Sequence, residues 1–229
     1  MSKKGMKQMK QVLMGVMGLA CWAVQADVKL PALFSDNMLL QANKAAPVWG
    51  TADAGEKVTV SFAGQTSDVA ADAQGRWKTS LKPLTANTTG TLTVAGKNTL
   101  KINNVLVGTV WICSGQSNME MGIGMADNAT TELPKAKYPK IRLFRVKNAS
   151  TLQPQADVDG KWVECSPETL PVQGGWGGFS AVAYFFGRDI HLATGLPVGL
   201  IETCWGGTPA QSWTSLAALQ AEPELKGYV

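Results

Sequence analysis

The 229 residues are 45% hydrophobic and 17% charged, enough apolar material for one large or two modest cores, which excludes a disordered chain. The formal charge of +4 comes from Lys3, Lys4, Lys7 and Lys10; once residues 1–26 are set aside, basic and acidic side chains balance, and the footprint of a nucleic-acid binder is missing. Neither a Cys-x-x-Cys nor a His-rich spacing occurs, so no metal or other cofactor is expected.

The four lysines precede an apolar stretch, Val12 to Val24, that is short for a bilayer span, and Val24-Gln25-Ala26 offers the small residues a signal peptidase prefers. Residues 1–26 therefore read as a cleaved signal peptide, and the mature chain from Asp27 as secreted or periplasmic, without stable membrane insertion. Cys21 after Leu19-Ala20 leaves a lipoprotein as the alternative, which Gly18 weakens. Cys113, Cys165 and Cys204 remain, an odd number, and buried free thiols are the expectation.

Residues 27–107 carry short β-rich runs: Pro47–Gly50, Lys57–Phe62, Arg76–Leu81, Thr91–Val94 and Thr99–Ile102. Turn clusters such as Asp53-Ala-Gly55, Ala63-Gly64 and Asp72-Ala-Gln-Gly75 separate them. This spacing predicts an all-β antiparallel sandwich, with Trp49 and Trp77 in its core. No linker follows, so the next domain is expected to pack closely.

Val105-Leu-Val107 and Val110-Trp-Ile112 then predict a strand buried on both faces, ending in Ser114-Gly-Gln-Ser-Asn118. Gly115 lets the backbone turn and places the hydroxyl of Ser117 at the C-terminal edge of a sheet, where α/β folds build their sites. A short helix after the turn would aim N–H groups at a developing oxyanion. Taken alone, a Gly-x-Ser-Asn turn reads more readily as a solvated connection between a strand and a helix.

Ile141–Val146 alternates and predicts a second strand, and Lys161–Val163 a short strand or covering loop. Gln173-Gly-Gly-Trp-Gly-Gly178 lacks the surroundings of a phosphate loop and reads as a mobile loop beside a cleft. Ser180 caps a predicted helix running to about Thr194 and stopped by Gly195, with Val182, Phe185, Phe186, Ile190 and Ala193 facing the sheet. His191, the single histidine, falls off that stripe and is expected to face solvent. Pro197–Cys204 predicts a third strand, followed by Gly206-Gly207-Thr208 and a helix over Thr214–Gln220.

Val110-Trp-Ile-Cys-Ser-Gly-Gln-Ser-Asn-Met-Glu120 resembles the nucleophile block of the sialate O-acetylesterase family, carbohydrate esterases of the SGNH-hydrolase type. Pro197-Val-Gly-Leu-Ile-Glu-Thr-Cys-Trp-Gly-Gly-Thr-Pro-Ala-Gln-Ser-Trp213 and Phe179-Ser-Ala-Val-Ala-Tyr-Phe-Phe-Gly-Arg188 are similar to two further blocks of that family. The resemblance implies Ser117 as nucleophile and Gly207, with Gly206, as oxyanion-hole amides. Gln116, Asn118 and Trp213 would line the substrate site, and the substrate would be an O-acetylated sugar. It also implies an α/β domain over residues 108–229, with a parallel sheet of about five strands.

Only three such strands are visible, and neither the Asp-x-x-His block nor the Gln-Gly-Glu block that the resemblance implies is found. The expectation is therefore the N-terminal part of a longer esterase, its site incomplete and its sheet left with an open edge. The alternative is a secreted, non-catalytic carbohydrate-binding or adhesion module, which would need exposed aromatics in a row on one face of the sandwich. Nothing in the sequence speaks to oligomeric state.

Overall fold

The computed structural model describes residues 27–151 and 153–229. The expected signal peptide, its cleavage site after Ala26 and Cys21 lie outside the described residues. No helix among them is long and apolar enough to cross a membrane.

The first half is built from β1 (Leu39–Gln41), β2 (Ala46–Thr51), β3 (Lys57–Phe62), β4 (Gln65–Ala70), β5 (Arg76–Leu81), β6 (Thr89–Ala95) and the start of β7 (Thr99–Gly115). Strand alternation sends Val48, Val58, Val60, Phe62, Leu92 and Val94 inward, each buried, as a half-exposed antiparallel sheet requires. β2 and β5 pair with each other, and β4-β3-β6-β7 form the first part of a larger sheet. Trp77 and Leu81 of β5 share one core with β3 and β6. β4 is absent from the predicted strands because Gln65-Thr-Ser-Asp-Val-Ala70 shows no hydrophobic face. It forms through the Ala63-Gly64 turn, whose φ angles of 50° and 75° suit a two-residue hairpin.

β7 is the organising strand. Its first part pairs antiparallel with β6, Leu106 to Gly108 pair parallel with β1, and Thr109 to Gly115 pair parallel with β10 (Val198–Cys204). The residue numbers expected to separate two domains, 107 and 108, thus fall inside one unbroken strand. Between Ile102 and Val105 the ladder carries a bulge opposite Gly90 and Leu92. Asn104 sits there at φ 55°, a left-handed conformation that asparagine tolerates better than most residues, and the bulge re-aims β7 from one half into the other.

The second half adds α1 (Ser117–Glu120), α2 (Ala129–Glu132), β8 (Tyr138–Arg145), β9 (Trp162–Cys165), α3 (Ala181–Thr194) and α4 (Leu216–Ala221). β7, β10 and β8 run parallel in that spatial order, and β9 closes the far side antiparallel to β8. The result is a mixed eight-stranded sheet with helices. Phe144 of β8 and Trp162 of β9 are buried in the core of the first half, so the two halves share apolar interior.

Three expectations are corrected here. The stretch around Val105 to Ile112 is not buried on both faces throughout: Trp111 is 42% and Ile112 73% exposed, because this part of β7 pairs on one side only, with β10. α3 starts at its Ser180 cap and stops at Gly195 (φ 67°), but the face it turns to the sheet is only partly the expected one: Phe185 and Ile190 pack against the core. Ala181, Ala183, Tyr184 and Gly187 are buried while Val182 and Phe186 are exposed. At Gly187 an added Cβ would lie 2.6 Å from Leu200 Cδ1, so the close approach needs glycine, and a stripe drawn from bulky residues alone misses it. The glycine segment 173–178 is also no free loop. Gly122 N–H donates to Trp176 O and Gly124 N–H to Gly177 O, at 2.8 and 2.9 Å, and a Cβ on Gly122 would meet Gly177 C at 2.2 Å.

Candidate active site

The ends of β7 and β10 lie side by side, Cys204 opposite Gly115, and Trp205 N–H continues the ladder by donating to Gly115 O at 3.0 Å. Beyond that last bond both chains turn. Gly115 has φ 148°, and α1 begins at Ser117 with Gln116 as its cap. On the neighbouring strand Gly206 and Gly207 follow, Gly207 at φ 75°. A Cβ on Gly206 would stand 3.2 Å from Ser117 Oγ, so the serine hydroxyl and the glycine turn face each other across one backbone width.

Ser117 Oγ donates to Gln116 Oε1 at 3.2 Å, and Ser117 N–H points to the same oxygen at 3.4 Å. An amide oxygen orients a hydroxyl but is too weak a base to take its proton. Asn118 is exposed beside it. Trp213 donates from Nε1 to Thr208 Oγ1 at 2.8 Å, and Thr208 donates to Trp205 O at 2.6 Å, which ties this tryptophan to the glycine turn. Trp205 and Trp213 remain 39% and 44% exposed. Together with Asn148, Asp159, Thr203 and Thr208 they wall a cleft of about 830 Å³.

Gly206 differs from the expected oxyanion donor in one respect: its N–H is already given to Glu120 Oε2, at 2.6 Å. Glu120 Oε1 in turn accepts from Arg145 Nη2 at 3.3 Å, and Arg145 Nη1 donates to the fully buried Glu202. The other Glu202 oxygen accepts from Ser180 N–H at 3.3 Å. Burial pushes the Glu202 carboxyl above the ordinary range although Arg145 opposes this. Burial and the adjacent Glu202 push the Cys204 thiol up to about 12. None of these three charged residues stands out by motif. The available signal is Glu202 itself, a lone acid inside the apolar run Val198-Gly-Leu-Ile, which demands a buried partner.

His191 does not join the site. Its Nδ1 lies 2.7 Å from Leu196 O and its ring packs on Tyr138 with centroids 6.2 Å apart, so it is half-buried rather than turned to solvent. Leu196 precedes β10 and Gly206 follows it; seven strand residues at about 3.3 Å each separate them by roughly 20 Å. Among the described residues no group of three or more histidine, cysteine, aspartate or glutamate side chains is placed to hold a metal ion.

The family described as carbohydrate esterase, sialic acid-specific acetylesterase, matches residues 107–222, just over half of the chain, and the chain belongs to it. It is similar to the sialate O-acetylesterase of Rattus norvegicus, 35% identical over 209 residues that cover 83% of this chain and 38% of the rat protein. The Homo sapiens sialate O-acetylesterase is 33% identical over 231 residues, 90% of this chain and 43% of the human one. A crystal structure of a carbohydrate acetylesterase from Xanthomonas citri superposes with a TM-score of 0.78 at 34% identity, covering 86% of this chain and 45% of that one. The chain thus spans less than half the length of these relatives.

Proposed function

We propose that the protein removes O-acetyl groups from sugars such as sialic acid through a serine acyl-enzyme, and that it does so after export from the cytoplasm. The observation that carries this reading is the juxtaposition of Ser117 Oγ with the Gly206-Gly207 turn at the ends of two adjacent parallel strands. Ser117 Oγ bonds to the acetyl carbon, the carbonyl oxygen becomes an oxyanion held by main-chain N–H groups, and the sugar hydroxyl leaves with a proton. Water then attacks acetyl-Ser117 and frees acetate. The donors are the Gly207 N–H and the Ser117 N–H, the latter once the acyl oxygen displaces the weak 3.4 Å contact to Gln116 Oε1, with Asn118 and Gln116 beside the acyl group.

The sugar occupies the cleft next to this turn, its apolar face on Trp205 or Trp213 and its hydroxyls on Asn148 and Asp159, a mixed wall suited to a carbohydrate. Residues 27–107 act as a β-sandwich scaffold, and residues 108–229 as the N-terminal part of an SGNH-type domain. The proton acceptor for Ser117 lies outside the described residues, in the Asp-x-x-His block that the family resemblance implies. Against a separate binding module, every exposed aromatic side chain among the described residues lies after residue 108, so no aromatic platform marks the first half.

The test is acetate release from O-acetylated sialic acid by the natural gene product, with Ser117→Ala and Ser114→Ala compared at matched thermal stability. Loss confined to Ser117→Ala supports the mechanism. Retained activity in folded Ser117→Ala overturns it.

A further inference from the structure

We propose that Glu120 is a positioning residue for the reaction of Ser117: by taking the Gly206 N–H it sets the glycine turn so that Gly207 presents the free donor. This rests on the reading of Ser117 as the nucleophile. Glu120 and Ser117 are the two ends of the single-turn helix α1, and Glu120 Oε2 and Ser117 Oγ would stand 2.8 and 3.2 Å from a Cβ on Gly206. The same backbone unit is therefore flanked by the carboxylate and by the hydroxyl. An N–H engaged at 2.6 Å by a carboxylate is not available to an oxyanion, since charge-assisted bonds of this kind are the strong ones. The Gly207 N–H makes no hydrogen bond among the described residues, and its φ of 75° keeps the position open to glycine in preference to other residues.

A carboxylate beside a developing oxyanion would ordinarily oppose the reaction. Here Arg145 stands between Glu120 and Glu202, bonded to both, and offsets part of that charge. Asn148 extends the chain of contacts: it accepts from Arg145 Nη2 at 3.0 Å and donates to Glu120 Oε1 at 3.5 Å, and it belongs to the cleft wall. The brace thus runs from the cleft, through Arg145 and Glu120, to the turn facing the serine. Its effect is geometric, and misplacement of catalytic donors by about 1 Å costs on the order of a hundredfold in rate.

The experiment follows the Gly206 amide by NMR in protein selectively labelled at glycine, in the native chain and in Glu120→Gln and Glu120→Ala. In Glu120→Ala the Gly206 amide loses its acceptor, and its exchange quickens by about tenfold or more, one charge-assisted hydrogen bond's worth. Glu120→Gln keeps an acceptor oxygen and recovers part of the protection. In the natural gene product, kcat for aryl acetate falls in Glu120→Ala with KM unchanged, and Glu120→Gln restores part of it. A folded Glu120→Ala with unaltered Gly206 exchange, or with unaltered kcat while Ser117→Ala is inactive, overturns the positioning role. Activity surviving in Ser117→Ala instead removes the nucleophile reading, and this inference with it, whatever the Gly206 amide shows.

Discussion

Arg142 of β8 donates from Nη2 to the side-chain oxygen of Asn104 at 3.1 Å and from Nη1 to its main-chain oxygen at 3.3 Å, gripping the bulge at which β7 passes from one half of the molecule to the other. The same guanidinium reaches Asn37 O at 3.1 Å and Pro139 O at 2.8 Å, and it is only 2% exposed. A planar group with several fixed donors suits this task, and lysine cannot replace it.

Arg142→Met should therefore destabilise the fold by about 1–3 kcal/mol for each buried acceptor it leaves unsatisfied, while its ion-pair partner Glu164 is 43% exposed and adds little. Three main-chain oxygens would be left without this donor, and Glu164 without its cation. Urea unfolding of the two proteins checks this. A midpoint unchanged from native would show that the bulge is held by something else.

The acid limb of the stability curve should depend on Glu132. Burial alone would raise its pKa, but the Tyr184 hydroxyl at 2.7 Å and Arg188 Nη1 at 2.6 Å outweigh burial and hold the carboxyl below the ordinary glutamate range. A carboxylate whose folded pKa is depressed contributes stability above its unfolded pKa and loses it as pH falls through the folded one. Glu132→Gln should lower Tm at pH 7 and converge on the native protein as pH falls through the depressed folded value, below the ordinary glutamate range. A constant Tm gap at every pH would rule out this linkage.

The three thiols should be inert. Cys113 is pushed up to about 11 by burial and by Glu202, Cys165 to about 12 by burial and by Glu132, and Cys204 to about 12. All are buried and unpaired, and the thiolate is the reactive form. Protein beginning at Asp27 should react slowly with a disulfide reagent at pH 8 and release three equivalents once unfolded in guanidine. A rapid first equivalent would contradict the burial of at least one of them.

The histidine should be dispensable for ester hydrolysis. His191 is bonded at the far end of β10, so His191→Ala should leave activity of the natural gene product within about twofold, as for substitutions away from the site. The isolated 229-residue chain should hydrolyse an aryl acetate only weakly. Ser117→Ala in the natural product should cost several orders of magnitude, roughly a million-fold in a well-studied serine protease. Normal turnover by the isolated chain that disappears in His191→Ala would reassign the base.

What could be read from the sequence follows from how local each cause is. β3, with Val58, Val60 and Phe62 alternating inward, and the Ser180 and Gly195 ends of α3 are set by neighbours in sequence, and pattern finds them. β4 owes its place to a hairpin turn and a partner strand, and its own residues carry no stripe. The sheet-facing side of α3 is chosen by Gly187, whose lack of a side chain admits Leu200, a fact about β10 rather than about the helix. In the site, Ser117 and the glycine pair are visible as turns after apolar runs. Glu120, Arg145 and Glu202 come from three separate segments, and only the fold brings their charges together.

β7 leaves no flexible joint between the residues before 107 and those after 108. An unbroken ladder crosses that point, and Phe144 and Trp162 stand in the interior of the opposite half. Heat should accordingly melt the described chain in a single calorimetric transition, with the van't Hoff enthalpy equal to the total. Attempts to express either half alone would expose torn hydrophobic surface and aggregate. Any opening of the cleft must then come from the residues along its own rim, all of which lie between 146 and 213, and not from swinging one half against the other about the strand they have in common.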